Sequence, residues 1–178
     1  LAREDRQGLG LEQVIASHLT HPNPGVRLHA VVGVQRLQLE PFVEQLLRIS
    51  DEEARQPLEN GIAHVHDVLP HTARRALVEM APLAKLHEAL AEPELRKPAL
   101  AVLRQIHSTE NTARLITALA EANEVEFSLD LVAVLTRLYH REQPWDGVSF
   151  WGTRPNSAGP FNLCSTCVSS ANIADSLR

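Results

Sequence analysis

"HLTHPNPGVRLHAVVGVQRL", residues 18–37, sets the folding pattern of this chain. Leu19 closes a stripe begun by Leu11, Val14 and Ile15, whose i, i+3, i+4, i+8 spacing is that of one helix face. The breaker His21-Pro22-Asn23-Pro24-Gly25 ends that helix. A second stripe comes next, made of Val26, Ala30, Val31, Val34 and Leu37, again with the spacing of a buried helical face. Pro24 stands at the first turn of the second helix, where a missing N–H costs nothing. The stretch therefore predicts two helices joined by a tight turn.

Beyond Leu37 the same plan recurs with variations. Phe42, Val43, Leu46 and Leu47 precede a polar turn, and Leu58, Ile62 and Val65 come after it. Ser50 with Glu53 reads as a capping box at that turn, and the helix after it is expected to begin near Pro57. A third unit spans the stretch from Leu77 to Ile106, with Pro98 opening the helix that carries Leu103 and Ile106. The fourth places Leu131, Val134, Leu135 and Leu138 inward, with Ser128 as the cap. Leu19, Leu47, Leu90 and Leu119, ahead of the four turns, lie 28, 43 and 29 residues apart. The long interval holds an extra helix-like segment, "PHTARRALVEM", residues 70–80. No segment shows the alternation of a strand. These readings predict an all-α chain of stacked helical hairpins.

Composition bounds the function classes. With 178 residues, 44% hydrophobic and 22% charged, the chain suits a packed globular domain with a tail. A formal net charge of −5 argues against nucleic acid as a partner, since phosphate binding needs a basic surface. No stretch offers the roughly 20 apolar residues of a membrane helix, so no membrane insertion is expected. The first residue is Leu1, which reads as a piece of a longer chain or a processed product.

The region "HLTHPNPGVRLHAVVGVQRL" resembles a HEAT or armadillo-type repeat, carried by Pro24, Val26, Arg27 and Ala30. The resemblance implies an α-solenoid in which a small residue lets helices approach and the Arg pairs with an acidic turn residue of the adjacent repeat. The later units match in hydrophobic spacing alone. Ala54-Arg55 and Leu95-Arg96 stand ahead of a proline, so no arginine ladder is inferred there. Residues 136–161 resemble a segment that closes the HEAT-like region in large multidomain proteins of planctomycete-type bacteria. The match is carried by Leu138-Tyr139-His140-Arg141-Glu142, by Trp151 to Pro155 and by Gly159-Pro160-Phe161. Such proteins combine a dehydrogenase-like propeller, HEAT-like repeats and a c-type cytochrome domain. This resemblance implies a periplasmic or secreted location, and it stops after Phe161.

The chain divides into helical repeats over 1–142, an aromatic Gly/Pro-rich capping segment over 143–161, and a Ser-rich tail over 162–178 expected to be disordered. Trp145, Phe150, Trp151 and Phe161 suit a plug on the open face around Leu135, Leu138 and Tyr139. Each buried aromatic would contribute roughly 1.5–3 kcal/mol. Alternatively, Arg154 with the Trp faces forms a site for an anion, a sugar ring or a partner domain.

Constellations that carry chemistry are few. Cys164 and Cys167 form a C-x-x-C, but Val168 stands where a c-type haem site needs His, and two thiolates are half of a structural zinc set. His64 and His66 point to different sides of a helix, and His18 and His21 straddle a helix end. These His residues read as capping or solvated groups. Asp51-Glu52-Glu53 and the acids from Glu121 to Glu126 fall at turns and helix starts. No phosphate loop, nucleophile elbow or paired catalytic acids occur, and no catalytic residue, metal or cofactor is assigned. The expected function is a non-catalytic scaffold that contacts a protein partner or the adjacent domains of a longer chain. The alternative is the structural portion of a secreted or periplasmic haem-containing dehydrogenase-like protein; a helical enzyme with a His site is a third reading.

Overall fold

The computed structural model describes residues 10–52, 65–139, 150–151, 154–155, 172–174 and 176. Its described residues are mostly helical. The chain forms two compact units, Leu1–Val102 and Leu103–Arg178.

In the first unit, α1 (Leu11–Leu19) leads through the Pro/Gly turn into α2 (Pro24–Leu37). Asn23 is the cap of α2: its side-chain oxygen accepts the Gly25 N–H at 2.8 Å, and Pro24 takes the first helical position. Ala30, Val31 and Val34 are buried as the stripe predicts, while Val26 and Leu37 are half-buried. On α1 only Ile15 and Leu19 of the predicted stripe are buried; Val14 is 51% exposed, because the partner helix covers a narrower arc than the stripe spans. After Gln38, in the left-handed region at φ 55°, a 3₁₀ turn (Glu40–Phe42) leads into α3 (Val43–Ser50).

Ser50 is not the N-cap expected of it. It is the last residue of α3, and its buried hydroxyl donates to the Leu47 carbonyl at 2.8 Å. Glu53, Ala54, Arg55, Pro57, Leu58 and Ile62 lie outside the described residues. The next described helix, α4 (Val65–Met80), runs through Pro70 without a break, so residues 70–80 are not a separate segment. Pro70 leaves one ladder position empty, a cost of about 3 kcal/mol. Burial of Leu69, Ala73, Ala76 and Leu77 on the same helix works against that cost.

Ala81 ends α4 in the left-handed region at φ 47°, its N–H donating to Leu77. Pro82 comes next at φ −75°, ψ 68°, the geometry of an inverse γ-turn, closed by Leu83 N–H on the Ala81 carbonyl at 2.8 Å. Glycine is the usual residue at such a helix end. Relief of the left-handed cost of about 1–2 kcal/mol, less glycine's loss of about 0.4–1 kcal/mol in chain entropy, gives Ala81→Gly a net gain of roughly 0.5–1 kcal/mol. A thermal melt should register a midpoint rise of a few degrees.

α5 (Leu83–Glu88), a 3₁₀ turn (Ala89–Ala91) and α6 (Pro93–Leu103) complete the unit's helices. α6 begins at Pro93, not at Pro98 as expected; Pro98 sits buried inside it. Within this unit α1 packs on α2, α2 and α3 both pack on α4, and α3 also touches α5. The core is formed by Leu19, Val31, Val34, Leu46, Leu47, Leu77 and Leu86.

In the second unit, α7 (Thr109–Glu121) packs on α8 (Val125–Tyr139). Leu131, Val134, Leu135 and Leu138 are buried as predicted. Ser128 lies inside α8 and donates to the Glu124 carbonyl four residues back, so it is not a cap. The capping serine is Ser108, ahead of α7, which accepts the Asn111 N–H at 3.1 Å.

The chain also holds a strand pair that the sequence did not suggest. Phe150–Trp151 and Arg154–Pro155 pair antiparallel, Phe150 opposite Pro155 and Trp151 opposite Arg154. Two residues per strand are too few for an alternation to be read. Residues 172–174 are helical, with Ile173 fully buried and the Ser176 hydroxyl donating to its carbonyl at 2.9 Å. This turn falls within residues 162–178, and the other residues of that stretch lie outside the described ones.

Candidate functional site

A polar side chain holds a carbonyl at or near the end of an earlier described helical segment at four places. Arg27 Nε donates to Leu19 O at 3.1 Å, Arg74 Nη2 to Ser50 O at 2.9 Å, and Arg96 Nε to Leu90 O at 3.1 Å. Asn111 Nδ2 donates to Leu103 O at 2.9 Å and to Ile106 O at 2.8 Å. The last carbonyls of a helix have no partner within the helix, so each clasp supplies one. Arg27 and Arg96 occupy the same helical position, fourth from an initial proline, in "PGVR" (24–27) and "PELR" (93–96). The helix of the second begins at Pro93, so Pro98 does not displace Arg96. An arginine clasp thus exists where none was inferred.

Arg27 also forms an ion pair with Glu52, in the turn after α3. Across the α2–α4 contact, Gln35 donates to Glu79, which also accepts from Arg75 at 2.7 Å. The Arg75 hydrogen bond is the largest of the effects that hold the Glu79 carboxyl below its ordinary range.

Between the Glu40–Val43 corner on one side and α5 with the start of α6 on the other lies a groove of about 320 Å³. Behind it stand Val43, Leu47, Ala89 and Leu95, all buried core residues. Its rim carries four carboxylates, Glu40, Glu44, Glu88 and Glu92, against one ammonium, Lys85. Lys85 Nζ meets Glu88 at 3.0 Å, and this hydrogen bond, with the Glu88 charge next, raises the Lys85 pKa; Glu40 adds a smaller push. Arg48 meets Glu44 at 3.0 Å and Glu94 at 3.2 Å, and the hydrogen bond to Glu44, then that to Glu94, raises its pKa. The cations at this rim are therefore already engaged, and negative charge remains in excess. The sequence holds no signal for the groove, because its residues come from two stretches some forty positions apart.

The aromatic candidates are not brought into a described site. Trp145 and Phe161 lie outside the described residues, as do Cys164, Cys167 and His64. Phe150, Trp151 and Arg154 are placed by their backbones alone, in the strand pair. His18 and His21 stack with ring centroids 6.4 Å apart; His18 Nδ1 donates to Val14 O at 2.6 Å, and His21 Nδ1 accepts the Asn23 N–H at 3.0 Å. Both rings thus engage the backbone on either side of the α1–α2 turn. Among the described residues no three His, Cys, Asp or Glu side chains gather as a metal set, and no helix is long and apolar enough to cross a membrane. Comparison with known proteins finds no matching family model, no matching curated protein and no matching solved structure.

Proposed function

We propose that this chain is a non-catalytic helical-repeat scaffold of the HEAT or armadillo kind, holding a protein partner or the adjacent domains of a longer chain. One observation carries the reading: the recurring clasp from Arg27, Arg74 and Arg96 to the end region of an earlier described helical segment. A repeated joint between successive helices is what a stacked array requires, since each repeat finds its stability in its neighbours. The pairing of Arg27 with Glu52, an acidic turn residue one hairpin on, suits the same reading. Surface complementarity, with no bond chemistry, would be the mode of action.

Cross-linking of the protein in its native extract tests this. The chain has two lysines, Lys85 and Lys97, both exposed. Amine-reactive links from either to another protein, or to other domains of the same polypeptide, are expected. Links confined to these 178 residues would sink the proposal.

A second reading rests on the resemblance of residues 136–161 to the end of the HEAT-like region in propeller–cytochrome proteins. In it the same scaffold orients the catalytic domains of a secreted or periplasmic haem protein without supplying their residues. Sequencing the gene on both sides decides it: a propeller upstream and a C-x-x-C-H downstream are required, and finding neither rules it out.

A further inference from the structure

We infer that α8 carries an interface through which two copies of this chain pair, antiparallel, along a short coiled-coil seam. The interface goes beyond the scaffold reading, since self-association neither needs nor supplies another protein. Three observations carry it. The first is a second apolar stripe on α8, separate from the buried one of Leu131, Val134, Leu135 and Leu138. Val125 is 77% exposed, Leu129 64% and Tyr139 41%, with Val132 half-buried and Thr136 exposed between them. Thr136 spends its hydroxyl on the Val132 carbonyl of its own helix at 2.8 Å, which leaves its methyl group for an apolar contact.

The second is spacing. Val125, Leu129, Val132, Thr136 and Tyr139 follow one another at intervals of 4, 3, 4 and 3 residues. That repeat keeps a seam against a partner helix over successive turns. Charge complementarity is the third, and it selects the occupant. One flank of the stripe carries Glu126 and Asp130 toward the start of α8 and Arg137 toward its end, all exposed. At 3.6 residues per turn these three lie within about 40° of one another around the helix. A parallel pair of copies would set like charge against like. An antiparallel two-fold pair brings the same flanks together end to end, so Arg137 of each copy approaches Glu126 of the other while Leu129 packs on Val132. Glu126 and Asp130 have no ion pair among the described residues. Arg137 has five donor hydrogens, so a carboxylate of a second copy adds to the contact it makes within the chain.

Such a seam is small as interfaces go, so the expected dissociation constant is on the order of 10 μM. Sedimentation velocity of the 178-residue chain from about 1 to about 300 μM tests this. A monomer–dimer equilibrium is expected, weakening as salt is raised. Leu129→Glu should weaken it at least about tenfold, because it buries two carboxylates in the seam. Leu129 is largely exposed in the single chain, so the helical circular dichroism and the melting curve should not change. Charge reversal reads the orientation: Glu126→Arg and Arg137→Glu should each weaken the dimer about fivefold, and the two together should restore it. A monomer at every concentration, which would leave the stripe to another occupant, would overturn the inference. So would self-association indifferent to Leu129→Glu, or a double reversal no tighter than either single one. None of these outcomes bears on the scaffold reading, which stands or falls on the cross-links.

Discussion

Replacing Asn111 by Ala is expected to lower stability by about 3 kcal/mol, a large effect for a single polar side chain. Asn111 has no exposed surface, and its amide nitrogen spends both hydrogens on the Leu103 and Ile106 carbonyls. Each carbonyl keeps a backbone donor, Ile106 N–H on Leu103 and Ser108 N–H on Ile106, so alanine loses the two amide hydrogen bonds, at about 0.5–1.5 kcal/mol each, and opens a small void besides. Urea unfolding monitored by circular dichroism measures the loss; a change below about 1 kcal/mol would mean that water replaces the amide. Asn111→Asp separates donor chemistry from shape. An ionised carboxylate has no hydrogen to give and faces two carbonyl oxygens, so its folded pKa is raised above the unfolded value of about 3.9. The charge penalty is then absent below that unfolded value, grows as pH rises above it, and is complete above the folded pKa. The Asp variant should therefore be least handicapped in acid. Next to it, Thr112 is buried with a hydroxyl that has no hydrogen-bond partner among the described residues. Thr112→Val should leave stability unchanged or raise it, the opposite of its neighbour.

Ala73→Leu is expected to cost about 3 kcal/mol. Ala73 is fully buried on α4, the helix that packs on both α2 and α3, and it lies in one stripe with Leu69, Ala76 and Leu77. A methyl group there lets the backbones approach, and an isobutyl group must either leave its rotamer or push a helix away. Ala84, exposed on α5, is the control: Ala84→Leu should stay within about 0.5 kcal/mol of the parent. Equal melting curves for the two variants would show that the α4 contacts are looser than their burial implies.

The helical class was legible because hydrophobic spacing is a local property. Ala30, Val31 and Val34, and later Leu131, Val134, Leu135 and Leu138, are buried where their periodicity places them. Helix limits were less legible. Pro70 and Pro98 read as starts, since proline is best tolerated in a first turn, yet both lie inside helices held by burial of the faces around them. Ser50 and Ser128 read as caps, but each hydroxyl bonds back to its own helix. Ala81 gave no sign of ending α4, because alanine is the strongest helix former and its left-handed conformation is imposed by the turn at Pro82.

Local sequence was enough for the all-α class, the Pro24 turn, and the buried faces of α2 and α8. Each depends on residues within a few positions of one another, where propensity and periodicity act. Tertiary packing alone brought Arg74 to the Ser50 carbonyl and set Glu40 and Glu44 in one groove with Glu88 and Glu92. Those depend on where helix ends and rims meet in space, and no spacing along the chain encodes a meeting between residues some forty positions apart.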